Sequence, residues 1–212
     1  MARVEEGEDL KLAVSSELIE QKSALRRRMR DKLRAMTDSQ RDDASIRARA
    51  LLEAQAVWRR AGSVLFFAPL REELDIWALA EKALLSGKTV GLPRFEGKRN
   101  SYAACEIRDL NTDLSPGRFG IREAGASCGE LSLNRLDLIL VPGVAFDSQG
   151  RRLGRGNGFY DQLLTAVRGT TCGVAFDEQI EREIPVEPHD IFVDCILTPT
   201  RWISCSRRAV ME

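Results

Sequence analysis

Residues 137–164 read DLILVPGVAFDSQGRRLGRGNGFYDQLL. Leu138 to Val141 form an unbroken apolar run, the pattern of a buried strand. Pro142 ends that run, because proline has no N–H to give to a sheet. Glycines then follow at 143, 150, 154, 156 and 158, with Arg151, Arg152 and Arg155 among them. The stretch closes as a short amphipathic helix, with Phe159, Leu163 and Leu164 apolar and Asp161 in the first turn. Strand, basic glycine loop and helix start together suit an anion. Glycines let backbone N–H groups approach phosphate oxygens, and the helix start adds partial positive charge. A flexible surface turn beside a core strand is the plainer reading of the same residues.

Outward from this stretch, strands alternate with helices. From Lys22 the pattern is helical, with Leu25, Met29, Leu33 and Met36 recurring on one face. Lys22 and Arg26 are one turn apart and flank that stripe. They either overhang a site beside the core or belong to a solvated basic face. Thr37 and Gln40 have the spacing of a capping box, which opens a second helix to about Arg60 that buries Ile46, Leu51, Leu52 and Trp58. Ser63 to Ala68 reads as a strand stopped by Pro69, and Glu72 and Glu73 lie in the loop beyond it. Asp75 is placed to cap a helix over 76–86 that Gly87 ends. Thr89 to Leu92 is a strand stopped by Pro93, and Tyr102 to Ile107 is another, followed by an irregular stretch over 109–135. Strands at Thr171–Phe176 and Ile191–Leu197 complete the pattern. Residues 1–18 read as a flexible acidic tail, 19–198 as a single domain and 199–212 as a second tail. The alternation predicts an α/β fold, a mostly parallel sheet covered on both faces.

Composition narrows the function classes. The chain has 212 residues, and its 32 Lys+Arg balance its 32 Asp+Glu, so no basic excess points to nucleic acid. The N-terminus has no apolar segment of a secretory signal, and no apolar run approaches a membrane span. The five cysteines include no C-x-x-C pair, which suits free thiols in a reducing cytoplasm. His189 is the only histidine, which argues against a His-rich zinc site and against a Ser-His-Asp triad built elsewhere.

Two common phosphate motifs fail. Gly91 to Lys98 is one residue too long for a Walker A loop, and Arg99 stands where Ser or Thr is needed. A Rossmann fingerprint needs glycine at 159, where Phe159 stands. The loop instead reads R-L-G-R-G-N-G-F-Y-D over 152–161. An acid at its end either holds Mg²⁺ against a phosphate or serves as a helix-dipole partner.

The run VPGVAFDSQGRRLGRGNGFYDQLL at 141–164 resembles the signature of the 5-formyltetrahydrofolate cyclo-ligases, also called 5,10-methenyltetrahydrofolate synthetases. KSALR at 22–26, Glu73 after the strand ending at Ala68, Gly87-Lys88 before the strand that Pro93 follows, Phe119-Gly120-Ile121, Ala175-Phe176-Asp177 with Gln179, and His189-Asp190 extend the match from about Lys22 to Leu197. The resemblance implies a three-layer α/β/α fold of the NagB/RpiA/CoA-transferase-like type. It also implies a reaction in which ATP phosphorylates the formyl oxygen of 5-formyltetrahydrofolate and N10 then closes the ring. By position, Lys22, Ser23, Ala24, Leu25, Arg26 and the run Arg152, Leu153, Gly154, Arg155, Gly156, Asn157, Gly158, Phe159 and Tyr160 would meet ATP. Arg26, Ala68, Glu73, Arg155, Gly156, Asn157, Gly158 and Phe159 would meet the folate. Arg155 and Tyr160 would be catalytic, and Asp161 and Asp190 would hold Mg²⁺. A cytoplasmic monomer that acts on small molecules, without membrane or nucleic acid partners, is the implied setting. Phe159 departs from the motif's tyrosine, and Asn157, Ile76 and Ala124 also depart from the pattern. A divergent homologue that binds nucleotide or pterin without cyclising is the alternative reading.

Overall fold

The computed structural model describes residues 2–117 and 120–205, with side chains from residue 16 onward. In chain order the elements are α1 Ala2–Arg34, α2 Asp38–Glu53, α3 Ala56–Arg60, β1 Ser63–Leu65, α4 Trp77–Leu85, β2 Thr89–Glu96, β3 Ser101–Ile107, β4 Leu114–Pro116, β5 Arg122–Ala124, β6 Glu130–Leu131, β7 Leu138–Pro142, β8 Ala145–Phe146, β9 Arg152–Leu153, α5 Phe159–Thr165, β10 Thr170–Val174, β11 Cys195–Leu197 and β12 Trp202–Ser204.

An eight-stranded sheet runs in the order β12-β11-β10-β7-β1-β2-β3-β6. Strands β11, β10, β7, β1 and β2 are parallel, whereas β3 and β12 run against their neighbours. The apolar run of β7 is explained by burial on both faces. Leu138 and Leu140 pack into one core with Leu52 of α2, Trp58 of α3 and Leu79 of α4. Ile139 and Val141 pack into the other with Leu163 and Leu164 of α5. The result is the expected α/β/α layering. A third cluster joins Leu25 and Met29 of α1 to Ala145, Leu153 and Ile184. It lays α1 against the β8–β9 hairpin, beside the glycine loop.

From β1 the chain builds outward through β2, β3 and β6, and then crosses back to place β7 on the other side of β1. The β1 and β7 connections therefore leave in opposite directions at their carboxyl ends. Such a switch point opens a crevice.

Local signals decide several boundaries. The Thr37–Gln40 capping box forms in both directions, at 3.2 and 2.8 Å. The Asp75 carboxylate accepts the Trp77 N–H at 2.9 Å. Gly87, at φ 75°, ends α4 with bonds from Gly87 N–H to Leu84 O and from Lys88 N–H to Ala83 O.

Other expectations are corrected. The second helix breaks into α2 and α3, and Ile46 is 56% exposed because Ala44, Ala48 and Leu52 form the inward stripe. Pro93 does not stop its strand. The β1 pairing ends at Gly91, so Pro93 lacks an N–H only where no neighbour needs one, and β2 continues against β3. Ile191 is not in the last parallel strand, which starts at Cys195. Within the two expected tails, α1 already runs from Ala2, with no proline to break it, and Trp202–Ser204 pairs antiparallel with β11. Residues 206–212, and Phe119 of the quoted landmarks, lie outside the described residues.

Candidate active site

A cavity of about 430 Å³ opens at the carboxyl ends of β1, β2 and β7, where Ala68, Pro93, Pro142 and Gly143 line it. The glycine loop 154–158 covers one side of it. Lys22 and Arg26 reach in from α1, Glu73 from the loop before α4, and Glu187, His189 and Asp190 from the loop before β11.

The loop begins where β9 ends at Leu153. Gly156 (φ 107°) and Gly158 (φ 67°) take conformations that side chains disfavour, which lets the backbone fold over the cavity. Among the described residues, no backbone N–H from Gly154 to Gly158 donates to a protein acceptor. Polar groups left open in this way at a cavity suit an anion.

Each cation at the rim is fixed by geometry. Arg26 Nε donates to Gly154 O at 2.9 Å, which ties α1 to the loop. Arg155 Nη2 meets Glu73 Oε1 at 2.9 Å, and Glu73 Oε2 accepts the Leu70 N–H at 2.9 Å. Arg152 lies beneath the loop with its side chain 3% exposed. Its Nη2 is 2.8 Å from Asp161 Oδ1, its Nη1 donates to Pro142 O at 3.3 Å, and its Nε has no partner among the described residues.

Lys22 Nζ lies 2.7 Å from both Glu187 Oε2 and Asp190 Oδ2. Burial works against the ammonium, but its hydrogen bonds to Asp190 and Glu187 outweigh it, and the Lys22 pKa is raised. Burial likewise works against the Asp190 carboxylate, but Lys22 and the Glu187 N–H outweigh it and hold its pKa below the ordinary range. Glu187, His189 and Asp190 bring potential ligand atoms within 4.8 Å of one another. Asp161 is a near neighbour, since its Oδ1 accepts the Ile191 N–H at 3.4 Å.

An aromatic wall faces these charges. Phe159 packs edge-on against Phe95 at 5.4 Å and Tyr102 at 5.3 Å, so the ring that departs from the motif's tyrosine serves packing. The Tyr160 hydroxyl is pushed well above its ordinary pKa, because burial disfavours the phenolate and the Glu73 carboxylate adds like charge. It is therefore a hydrogen-bond donor at neutral pH.

The structure brings most of the expected site residues together. Lys22, Arg26, Ala68, Glu73, all residues from Arg152 to Asp161, and Asp190 line the cavity. Ser23, Ala24 and Leu25 do not. Helical spacing turns Ser23 and Ala24 to solvent and Leu25 into the α1 core. Glu187, Tyr102 and Arg122 line the cavity and were not foreseen. Only the spacing of Glu187, three residues before Asp190, hinted at the turn they form, in which the Glu187 N–H donates to Asp190 Oδ2 at 2.7 Å.

A parallel sheet with a glycine loop, cations and carboxylates converging at its switch point defines an α/β protein whose cavity suits a phosphate-bearing ligand. Comparison with known proteins makes this specific. The chain belongs to the 5-formyltetrahydrofolate cyclo-ligase family, whose model matches residues 18–199. The 5-formyltetrahydrofolate cyclo-ligase of Mus musculus is 29% identical over 192 residues, covering 83% of this chain and 92% of its own length. That of Escherichia coli (strain K12) is 32% identical over 181 residues, covering 82% and 97%. The NMR structure of Aquifex aeolicus 5,10-methenyltetrahydrofolate synthetase superposes with a TM-score of 0.79 at 30% identity, covering 90% of this chain and 95% of that one.

Proposed function

We propose that this chain converts 5-formyltetrahydrofolate to 5,10-methenyltetrahydrofolate, with ATP consumed and ADP and phosphate released. The observation that carries the reading is the run of unpaired backbone donors from Gly154 to Gly158, walled by Lys22, Arg26 and Arg155, in a chain of this family.

The formyl oxygen attacks the γ-phosphorus of ATP, and ADP leaves. N10 then bonds to the activated formyl carbon and gives up its proton, and the C–O bond breaks to release phosphate, which carries away the formyl oxygen and takes up the proton. Most of the barrier in phosphoryl transfer is met by positioning and by stabilising spread charge. The loop N–H groups and Lys22 hold phosphate oxygens. Arg155 is half exposed and has five N–H donors, so it meets the transferring group while one nitrogen keeps Glu73. Each Glu73 oxygen retains a lone pair for an N–H of the folate. The protonated Tyr160 hydroxyl donates toward the reacting oxygen. Asp161 and Asp190 would hold Mg²⁺ through hard carboxylate oxygens, and the ammonium seated on Asp190 supports a place for positive charge beside them. When bound, Mg²⁺ neutralises charge on the phosphates.

Every assigned residue comes from one chain, so a monomer suffices. All five cysteines are free, which supports a reducing, cytoplasmic setting. Among the described residues no helix is long and apolar enough to cross a membrane. The test is direct. Purified protein with ATP, Mg²⁺ and 5-formyltetrahydrofolate is expected to develop the methenyl absorbance. ATP binding without any folate-dependent turnover would replace this reading with a binding protein of the same fold.

A further inference from the structure

We propose that Glu187 is a positioning residue for Lys22. It keeps the ammonium aimed at the nucleotide phosphates when Asp190 turns to the divalent cation. The inference rests on the nucleotide reading of the cavity and adds to it a residue that the resemblance did not supply.

Lys22 is anchored twice, at 2.7 Å each, with its side chain only 8% exposed. A charge so buried needs a permanent counter-charge. The two carboxylates are not equivalent. Asp190 Oδ2 also accepts the Glu187 N–H, and the next residue's N–H meets Asp161. Asp190 is thus built into the turn beside the second candidate metal ligand. Among the described residues the Glu187 carboxylate accepts a hydrogen bond from Lys22 alone, and the His189 ring stands off at 4.0 Å. A divalent cation and an ammonium on the same Asp190 oxygen repel strongly where water is scarce. Once metal occupies Asp190, only Glu187 is left to hold Lys22 in place. Two carboxylates against one ammonium are redundant for the free protein, but each has a task in the loaded one.

The alternative is that Glu187 merely ties its loop to α1, and the two roles respond differently to metal. ATP dissociation constants are measured by equilibrium dialysis, without folate, in Mg²⁺ and in EDTA. The proteins are wild type, Glu187→Gln, Glu187→Asp, Lys22→Met and the Lys22→Met/Glu187→Gln double variant. Glu187→Gln is expected to weaken ATP binding about ten-fold in Mg²⁺, and much less in EDTA, where Asp190 still holds Lys22. Glu187→Asp, with the charge kept at shorter reach, falls between. The double variant binds no more weakly than Lys22→Met, because Glu187 acts through Lys22. An equal loss in both buffers, or additive losses in the double variant, overturns the proposal. Wild-type affinity in Lys22→Met shows instead that the phosphate role of Lys22 has failed, and the inference falls with it. Loss in Lys22→Met with none in Glu187→Gln defeats the inference alone. If Glu187→Gln does not fold, as its melting curve would show, the Mg²⁺–EDTA comparison passes to Glu187→Asp, where a smaller loss confined to Mg²⁺ is expected and an equal loss in both buffers is again fatal.

Discussion

At the scale of single residues, the site is made of charges that answer one another. Asp161 neutralises Arg152, whose guanidinium is almost fully enclosed, and it is also a candidate metal ligand. Removing the charge leaves a buried arginine with only the Pro142 carbonyl and a neutral side chain. Asp161→Asn is therefore expected to lose about 3 kcal/mol of stability in urea denaturation. Its Mg²⁺ activation curve should also move to higher concentration. A mutant whose Mg²⁺ titration overlays wild type would remove Asp161 from the metal set while leaving its structural role. The Lys22–Asp190 pair sets a pH dependence whose sign follows from two shifts. The Asp190 pKa is lowered, so its contribution is complete above about pH 4 and is lost as pH falls through the folded value. The Lys22 pKa is raised, so its contribution is complete below about pH 10 and is lost as pH rises through the folded value. The stability gap between wild type and Lys22→Met should stay constant from pH 6 to 9. It should narrow below about pH 4, as denaturation midpoints across pH would reveal.

At the scale of elements, α1 decides whether the site exists, because it carries both Lys22 and Arg26 and packs on the domain through Leu25 and Met29 in a small cluster and Leu33 in the main core. Met29 is fully buried there. Met29→Ala should cost about 2–4 kcal/mol and raise the KM for ATP more than it lowers kcat, since it loosens the helix that positions the phosphate-side cations. Steady-state kinetics together with denaturation would register both effects, and an unchanged KM would mean that α1 is held well enough by its ion pairs to Glu181. The α1 stripe was legible because a helix writes its buried face every three or four residues. The β7–loop–α5 unit, the start of α2 and both ends of α4 were legible for a similar reason, as proline, glycine and capping signals act within a few residues. What escaped depends on partners distant in the chain. Pro93 is tolerated in β2 only because β1 has already stopped pairing. Trp202–Ser204 is too short to show a period and becomes a strand because β11 offers an edge. Glu187 lies 165 residues from the lysine it holds, so neither spacing nor composition could connect them. Ser23 and Ala24 fall in the quoted motif, yet the helix that presents Lys22 and Arg26 turns them away.

At the scale of the whole molecule, the neutral net charge conceals a site in which opposite charges are stored in matched sets. Lys22, Arg26, Arg152 and Arg155 converge with Glu73, Asp161, Glu187 and Asp190 around one cavity. A polyphosphate alone would meet the cations but also face the carboxylates, and a divalent cation alone would meet the reverse. The two together satisfy both sets, so their binding should be cooperative, each lowering the electrostatic cost of the other. A ligand that binds only the folded state at a hundred times its Kd adds about 2.7 kcal/mol to stability. For a chain of this length that corresponds to a rise in Tm of about 5–10 °C. MgATP is expected to give such a rise. ATP in EDTA and Mg²⁺ alone should each give much less, and their summed shifts should fall short of that for the pair. AMP, which lacks the phosphates that would lie along Gly154 to Gly158, should scarcely move the transition even with Mg²⁺. Thermal melts across these four conditions need no turnover and no folate, so they examine the charge-matched cavity directly. Equal shifts for AMP and ATP would place the binding energy in the nucleoside rather than in the glycine loop.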